Sequence, residues 1–212
     1  MSLLTVAMTI LLGVSSSLQH STPEEWAAKH VALGLKCVNF PVDYLAGEDV
    51  YMAYKKAADE AVAMIQRVID AVKPKHTKFA IESMPWMIPS GPDEYLRLIE
   101  AVDREEFGVH LDAVNMITSP QRYFFNDDFL RECFEKLGPR IISCHLKDIN
   151  LKPQYTFQLQ ECAPGEGTLD IPLFLELASK YNPSMPFIIE HLTTDEQYVT
   201  SVKYVQELME GK

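Results

Sequence analysis

Four short apolar runs, each closing on a charged or imidazole side chain, constrain this chain more than any other feature. They are Phe79–Glu82, Phe107–Asp112, Ile141–Asp148 (with His145 within it) and Pro186–Glu190. Their apolar residues run on without strict alternation, so each suits a strand buried on both faces, as in a parallel sheet covered by helices. Glu82, Asp112, His145 and Glu190 follow one another at 30, 33 and 45 residues. One strand with its crossover helix and loops takes roughly 30 residues. The four side chains therefore read as one group at the same end of successive parallel strands, the end that carries function in such folds. A lone charge at a strand end is ordinarily just where the strand meets water, but four at this interval point to a shared site.

The rest of the chain fits the same alternation. A first strand is predicted over Thr5–Val14 and a second over Leu35–Phe40, cut off by Pro41. Between them Thr22, Pro23 and Glu25 form a capping box that starts a helix running to Leu33. A helical pattern covers Gly47–Val72, and further helices are expected over Asp93–Val102, Asp127–Leu137, Ile171–Lys180 (capped by Asp170) and from Thr193 or Thr194 to about Glu210. Residues 113–126, with Asn115 and the aromatic cluster Tyr123-Phe124-Phe125, read as a long loop, and Asn150–Ala163 as a polar connection able to form a small hairpin or lid. Alternating strands and helices imply a parallel sheet with right-handed crossovers. Six strands are predicted, where a closed barrel of this type needs eight.

Composition sets the remaining bounds. A chain of 212 residues with 47% hydrophobic content is read as a single domain, residues 1–212. Its net charge of −11 comes from 19 Lys and Arg against 30 Asp and Glu, with no basic stripe, which argues against a nucleic-acid partner. Cys37, Cys133, Cys144 and Cys162 form no CxxC pair or regular framework, so a reduced, cytoplasmic setting is expected. The apolar opening Leu3–Leu12 lacks a positively charged start and is too short to span a bilayer, so it is read as leading into the first strand, and no membrane partner is expected.

Two Glu, one Asp and one His at a sheet end make an oxygen-rich donor set. It suits a divalent ion such as Mn, Mg or Co better than structural zinc, although zinc also fits. Such an ion stabilises negative charge developing on a substrate oxygen next to a carbon that loses its proton. Glu82 and Glu190, far apart in sequence, are the candidates for removing and returning that proton from opposite sides. Around them Trp86 (with Met87), His110, Asn115, Lys147 and His20 are candidate substrate contacts. His110 lies two before Asp112 and so shares its side of the strand. Lys147 shares the His145 side and offers a cation for a substrate carboxylate or phosphate. Asp148 is expected to orient a neighbour, Glu166 to complete the turn Pro164–Asp170, and His191 to be structural.

The set Ile81-Glu82, His110-Leu111-Asp112, Ser143–Asp148, Pro164–Gly167 and Ile189-Glu190-His191 resembles the sugar phosphate isomerase/epimerase family with the xylose-isomerase-like TIM barrel. The resemblance covers roughly Phe79–Glu210 well and Leu12–Phe40 more loosely. It implies an α/β, TIM (β/α) barrel fold, with Glu82, Asp112, His145 and Glu190 holding a divalent metal and the two Glu also transferring the proton. The implied activity is isomerisation or epimerisation of a small sugar, sugar phosphate or hydroxy-carbonyl compound through an enediolate. A metal-dependent dehydratase of a keto-polyol and a non-catalytic metal- or sugar-binding remnant are the alternatives.

Members that epimerise free ketoses commonly carry His three residues after the metal Asp and Arg six after the metal His, where this chain has Asn115 and Leu151. Members also usually have two further βα units between the second strand and the strand ending in the first metal Glu. The expectation here is a deletion joint, or a numbering that closes over a missing segment, near Glu60/Ala61. An incomplete barrel wall leaves strand edges that invite pairing, so a homo-oligomer is expected.

Overall fold

A computed structural model describes residues 50–211 together with 13–15, 22, 25, 28 and 37–39, with side chains at 22, 25, 28 and 58–211. His20 and most of the predicted first strand lie outside the described residues. Gly13–Ser15 (β1) and Cys37–Asn39 (β2) pair in parallel. The Thr22 hydroxyl accepts from the Glu25 N–H at 3.2 Å, the capping contact expected from the sequence.

The helix Val50–Val72 (α1) buries Ile65, Val68 and Ile69 on one face, as their spacing at three and four residues requires. It is unbroken across Glu60 and Ala61.

After α1 come Phe79–Glu82 (β3), Phe107–Leu111 (β4) and Ile141–His145 (β5), then a hairpin of Asp148–Leu151 (β6) and Leu159–Cys162 (β7), and finally Phe187–Ile188 (β8). Strands β3, β4, β5 and β8 form one parallel sheet in that order, and β6 pairs with β7 antiparallel. Among the described residues the sheet does not close into a barrel. Among the described residues there are eight strands where six were predicted, because the hairpin of β6 and β7 adds two.

Helices Pro92–Val102 (α2), Asn126–Leu137 (α5) and Ile171–Tyr181 (α6) lie beside the sheet strands, and Asp195–Met209 (α7) ends the described chain. Tyr95 of α2 is fully buried and its hydroxyl donates to the carbonyl of Ile81 on β3. Phe174 of α6 meets Phe134 of α5 at 5.7 Å and Phe187 of β8 at 5.4 Å between ring centroids. Each such buried ring contributes roughly 2–3 kcal/mol through the apolar surface it removes from water. Thr194 and Gln197 complete a capping box on α7, in agreement with the sequence.

The predicted loop after β4 instead contains two short helices, Ala113–Met116 (α3) and Pro120–Phe124 (α4). Cap chemistry explains both. Asp112 accepts from the Asn115 N–H at 2.9 Å, and Ser119 accepts from the Arg122 N–H at 3.2 Å with Pro120 at the first helical position. The run Ile141–Asp148 is likewise interrupted at Leu146 and Lys147, and the last strand is shorter than Pro186–Glu190. His191, at φ 60°, turns the backbone through the left-handed region directly after Glu190.

Asp148 anchors the turn that follows the hairpin. Its buried carboxylate accepts from the N–H groups of Ile149, Gly165, Gly167 and Leu169 at 2.8–3.1 Å. A Cβ on Gly167 would sit 2.3 Å from that carboxylate and 2.6 Å from the Ile149 nitrogen, so only glycine fits. Asp148→Ala strands four buried donors and is expected to cost about 3 kcal/mol or more. Urea unfolding checks this; a loss below about 1 kcal/mol contradicts the anchoring role.

Candidate metal centre

The parallel sheet brings four strand ends to one place. Glu82 is the last residue of β3, Asp112 follows β4, His145 closes β5 and Glu190 lies two residues beyond β8. His145 Nδ1 is 3.0 Å from Glu82 Oε1, 3.3 Å from Asp112 Oδ2 and 3.1 Å from Glu190 Oε1. One donor atom from each of the four residues lies within 4.8 Å of the other three. A single ion bonded at ~2.0–2.4 Å spans donors up to about that far apart. One ring N–H cannot satisfy three carboxylates at once, whereas a divalent cation can, so the donor set fits a metal.

Lys147 is a second cation at the same carboxylates. Its ammonium is 2% exposed and lies 2.9 Å from Asp112 Oδ2, 2.8 Å from Glu190 Oε1 and 3.1 Å from Glu161 Oε2. Burial alone would lower its pKa, but Asp112 and Glu190 outweigh that and raise it. Its charge is thus engaged inside the site. Glu161, on β7, also meets His191 at 3.0 Å, and His191 Nε2 stands 3.5 Å from Glu190 Oε2. The sequence offered no signal for Glu161, a polar residue in a polar hairpin that acts only through the pairing of β6 with β7.

The carboxylates differ in environment. Burial raises the pKa of Glu82 against the opposing effect of His145. For Glu190 burial is outweighed by the hydrogen bond and charge of His145 and by Lys147, which lower it to about 2. Asp112 is driven low by His145 and Lys147 despite complete burial. Burial works against a charged His145, but its bonds to Asp112, Glu190 and Glu82 raise it to about 11.

A sign follows for the metal-free protein. Glu190, lowered from 4.5, stabilises the fold above its unfolded pKa and loses that contribution as pH falls towards about 2. His145, raised from 6.5, contributes fully below 6.5 and loses it as pH rises towards about 11. Glu82, raised by burial, also favours the acid side. The Tm measured in chelator is therefore expected to be highest on the weakly acidic side, between about pH 4.5 and 6.5. A Tm that climbs steadily from pH 6.5 to 9 contradicts this arrangement.

The other candidates fall into place unevenly. Asn115 is buried; its side-chain amide donates to Glu82 Oε1 at 3.0 Å and approaches Met84 Sδ at 3.5 Å. His110 Nδ1 lies 2.6 Å from Ser143 Oγ, its ring meets that of His145 edge-on with centroids 4.1 Å apart, and its Nε2 is buried without a partner. Burial and the charge of His145 push its pKa down to about 3, so the ring is neutral. Trp86, 69% exposed in the turn after β3, stands outside this hydrogen-bonded group. Leu151 ends β6, its N–H donating to the Tyr123 hydroxyl at 3.0 Å.

Parallel strands that alternate with helices and bring functional side chains to their C-terminal ends are the arrangement of (β/α) barrel folds. The chain belongs to the xylose isomerase-like TIM barrel family, whose model matches residues 25–208. Solved structures share the fold. A xylose isomerase domain protein from Planctomyces limnophilus superposes with a TM-score of 0.64 at 18% identity, over 88% of this chain and 62% of that one. A xylose isomerase-like TIM barrel protein from Mycobacterium smegmatis in complex with magnesium gives 0.65 at 16%, over 88% and 65%. A D-tagatose 3-epimerase-like protein gives 0.66 at 16%, over 93% and 76%. The chain thus spans less than two thirds of the first two. No curated protein matches the sequence significantly. Among the described residues no helix is long and apolar enough to cross a membrane.

Proposed function

We propose that this chain is a divalent-metal-dependent isomerase or epimerase of a small sugar or hydroxy-carbonyl compound. It moves a proton at the carbon beside a carbonyl, through an enediolate. The observation that carries the reading is the convergence of Glu82, Asp112, His145 and Glu190 within 4.8 Å at the C-terminal ends of parallel strands. These four residues would hold the ion, which supplies Lewis-acid stabilisation of the charge that develops on the substrate oxygen.

Glu82 and Glu190 arrive from the first and last strands of the four-stranded sheet and so address the reacting carbon from different sides. One of the two takes the proton as base and the other returns it from the opposite side. Asp112 and Lys147 orient Glu190 and His145 rather than meeting the substrate, and Trp86 offers an apolar wall at the mouth.

The dehydratase reading keeps a specific support. Asn115 and Leu151 replace the His and Arg that ketose-epimerising members commonly carry, and the Asn115 amide is directed to Glu82 rather than left for a sugar hydroxyl. A panel of ketoses and keto-polyols, with Mn, Mg, Co or Zn added, separates the two by product analysis. An isomerase conserves substrate mass and a dehydratase loses water. Dependence of turnover on added ion supports the reading, and turnover unchanged in chelator contradicts it.

A further inference from the structure

We infer that Asn115 is a positioning residue of the metal centre, fixing Glu82 through its side-chain amide and Asp112 through its backbone N–H, so that both carboxylates meet the ion in one arrangement. The inference rests on the metal centre proposed above and adds the group that sets two of its four ligands relative to each other.

The bracing is direct on both sides. Asn115 is the third residue of α3, whose N-cap is Asp112, and its backbone N–H donates to Asp112 Oδ1 at 2.9 Å. That holds the carboxylate with Oδ2 turned to His145 Nδ1 at 3.3 Å and Lys147 Nζ at 2.9 Å. Its Nδ2 donates to Glu82 Oε1 at 3.0 Å and has Met84 Sδ as its second neighbour at 3.5 Å. Both are acceptors, so the amide can present only its nitrogen to them. Asn115 is 7% exposed, and water does not readily replace these contacts.

The local fold explains why this residue reaches both ligands. Glu82 ends β3 and Asp112 follows β4, and these two strands are parallel neighbours in the sheet. Side chains on a helix lean back towards its N-terminus, which here points Asn115 at the strand ends. In a capping box the residue at this place bonds the backbone of its own N-cap. Asn115 instead reaches across to the next strand and ties the two ends together.

Carboxylates that bind an ion are themselves held by hydrogen bonds, because like charges brought together otherwise swing apart and must be ordered when the ion arrives. Asn115 supplies such a bond to two of the three carboxylates. With Nδ2 engaged by Glu82 and Met84, its amide serves the ligands in place of the substrate contact expected from the sequence.

The test is equilibrium binding of Mn and Co to the whole chain, with the visible spectrum of bound Co as a report on ligand geometry. Asn115→Ala keeps the backbone N–H, and so the cap on Asp112, and removes only the amide. It is expected to weaken both ions about tenfold or more and to shift the spectrum of the Co-saturated protein. Asn115→Ser, whose hydroxyl is too short to reach Glu82, is expected to behave alike and decides the matter if Asn115→Ala does not fold. Both effects together are required. Parent-like affinity overturns the inference and leaves the four-residue centre standing. Weaker binding with an unchanged Co spectrum also overturns it, because a merely structural role costs stability without moving the ligands of the bound ion. A parent protein that binds neither ion overturns the centre itself, and the role of Asn115 with it.

Discussion

Asp112→Ala is expected to lower stability by about 3–5 kcal/mol and to take divalent-ion binding below detection. Asp112 is fully buried, and its Oδ2 faces both Lys147 Nζ at 2.9 Å and His145 Nδ1 at 3.3 Å. Its Oδ1 accepts from the Asn115 N–H and so starts α3. Truncation leaves a buried ammonium with one carboxylate fewer, unsatisfies a helix start and removes a candidate ligand in one step. The cost is that of an uncompensated buried charge, which exceeds the net worth of an intact pair. Asp112→Asn separates the contributions: it keeps the shape and the contact with Asn115, so it is expected to recover part of the stability while still failing to bind the ion. Urea unfolding and ion titration on the two variants check both halves, and an Asp112→Ala protein with parent-like affinity refutes the role given to this residue.

The second large effect lies in catalysis. Glu190→Gln and Glu82→Gln are each expected to reduce turnover by about 10²–10⁴-fold on any substrate the parent converts. Gln cannot take a proton, and at position 190 it also leaves Lys147 and His145 facing a neutral amide in place of a carboxylate. The two variants are expected to differ in a second respect. Glu190→Gln removes a low-pKa carboxylate paired with two cations, whereas Glu82→Gln neutralises a group already pushed towards its protonated form. Metal-free Glu82→Gln should therefore be at least as stable as the parent, and Glu190→Gln less stable. Full activity in both variants rules out the two-glutamate mechanism. An ion bound by a parent that turns over nothing in a broad panel favours the binding remnant.

Much of this was readable from residue order. The uninterrupted apolar runs before Glu82, Asp112 and His145 could only be buried strands, and their roughly equal spacing left one way to place the ends. The family resemblance then fell on the same four residues that spacing and donor chemistry had already selected. What the sequence could not supply were contacts made across the site. Lys147 reads in the sequence as a cation for a substrate anion, and its ion pairs with Asp112, Glu190 and Glu161 are contacts that residue order does not announce. Glu161 has no motif of its own and enters only because β7 folds back on β6. His110 reads as one more strand residue until the register shift and the Ser143 contact give its ring a direction. The two short helices after β4 start on Asp112 and on Ser119-Pro120, single cap residues inside a stretch too short and aperiodic to read as helix.

The most direct test of the account is a crystal structure of the Mn-loaded protein with anomalous scattering used to locate the ion. The account predicts one Mn within ~2.0–2.6 Å of a donor atom from each of Glu82, Asp112, His145 and Glu190. An ion bound elsewhere, or no anomalous peak among these four residues at saturating Mn, contradicts it.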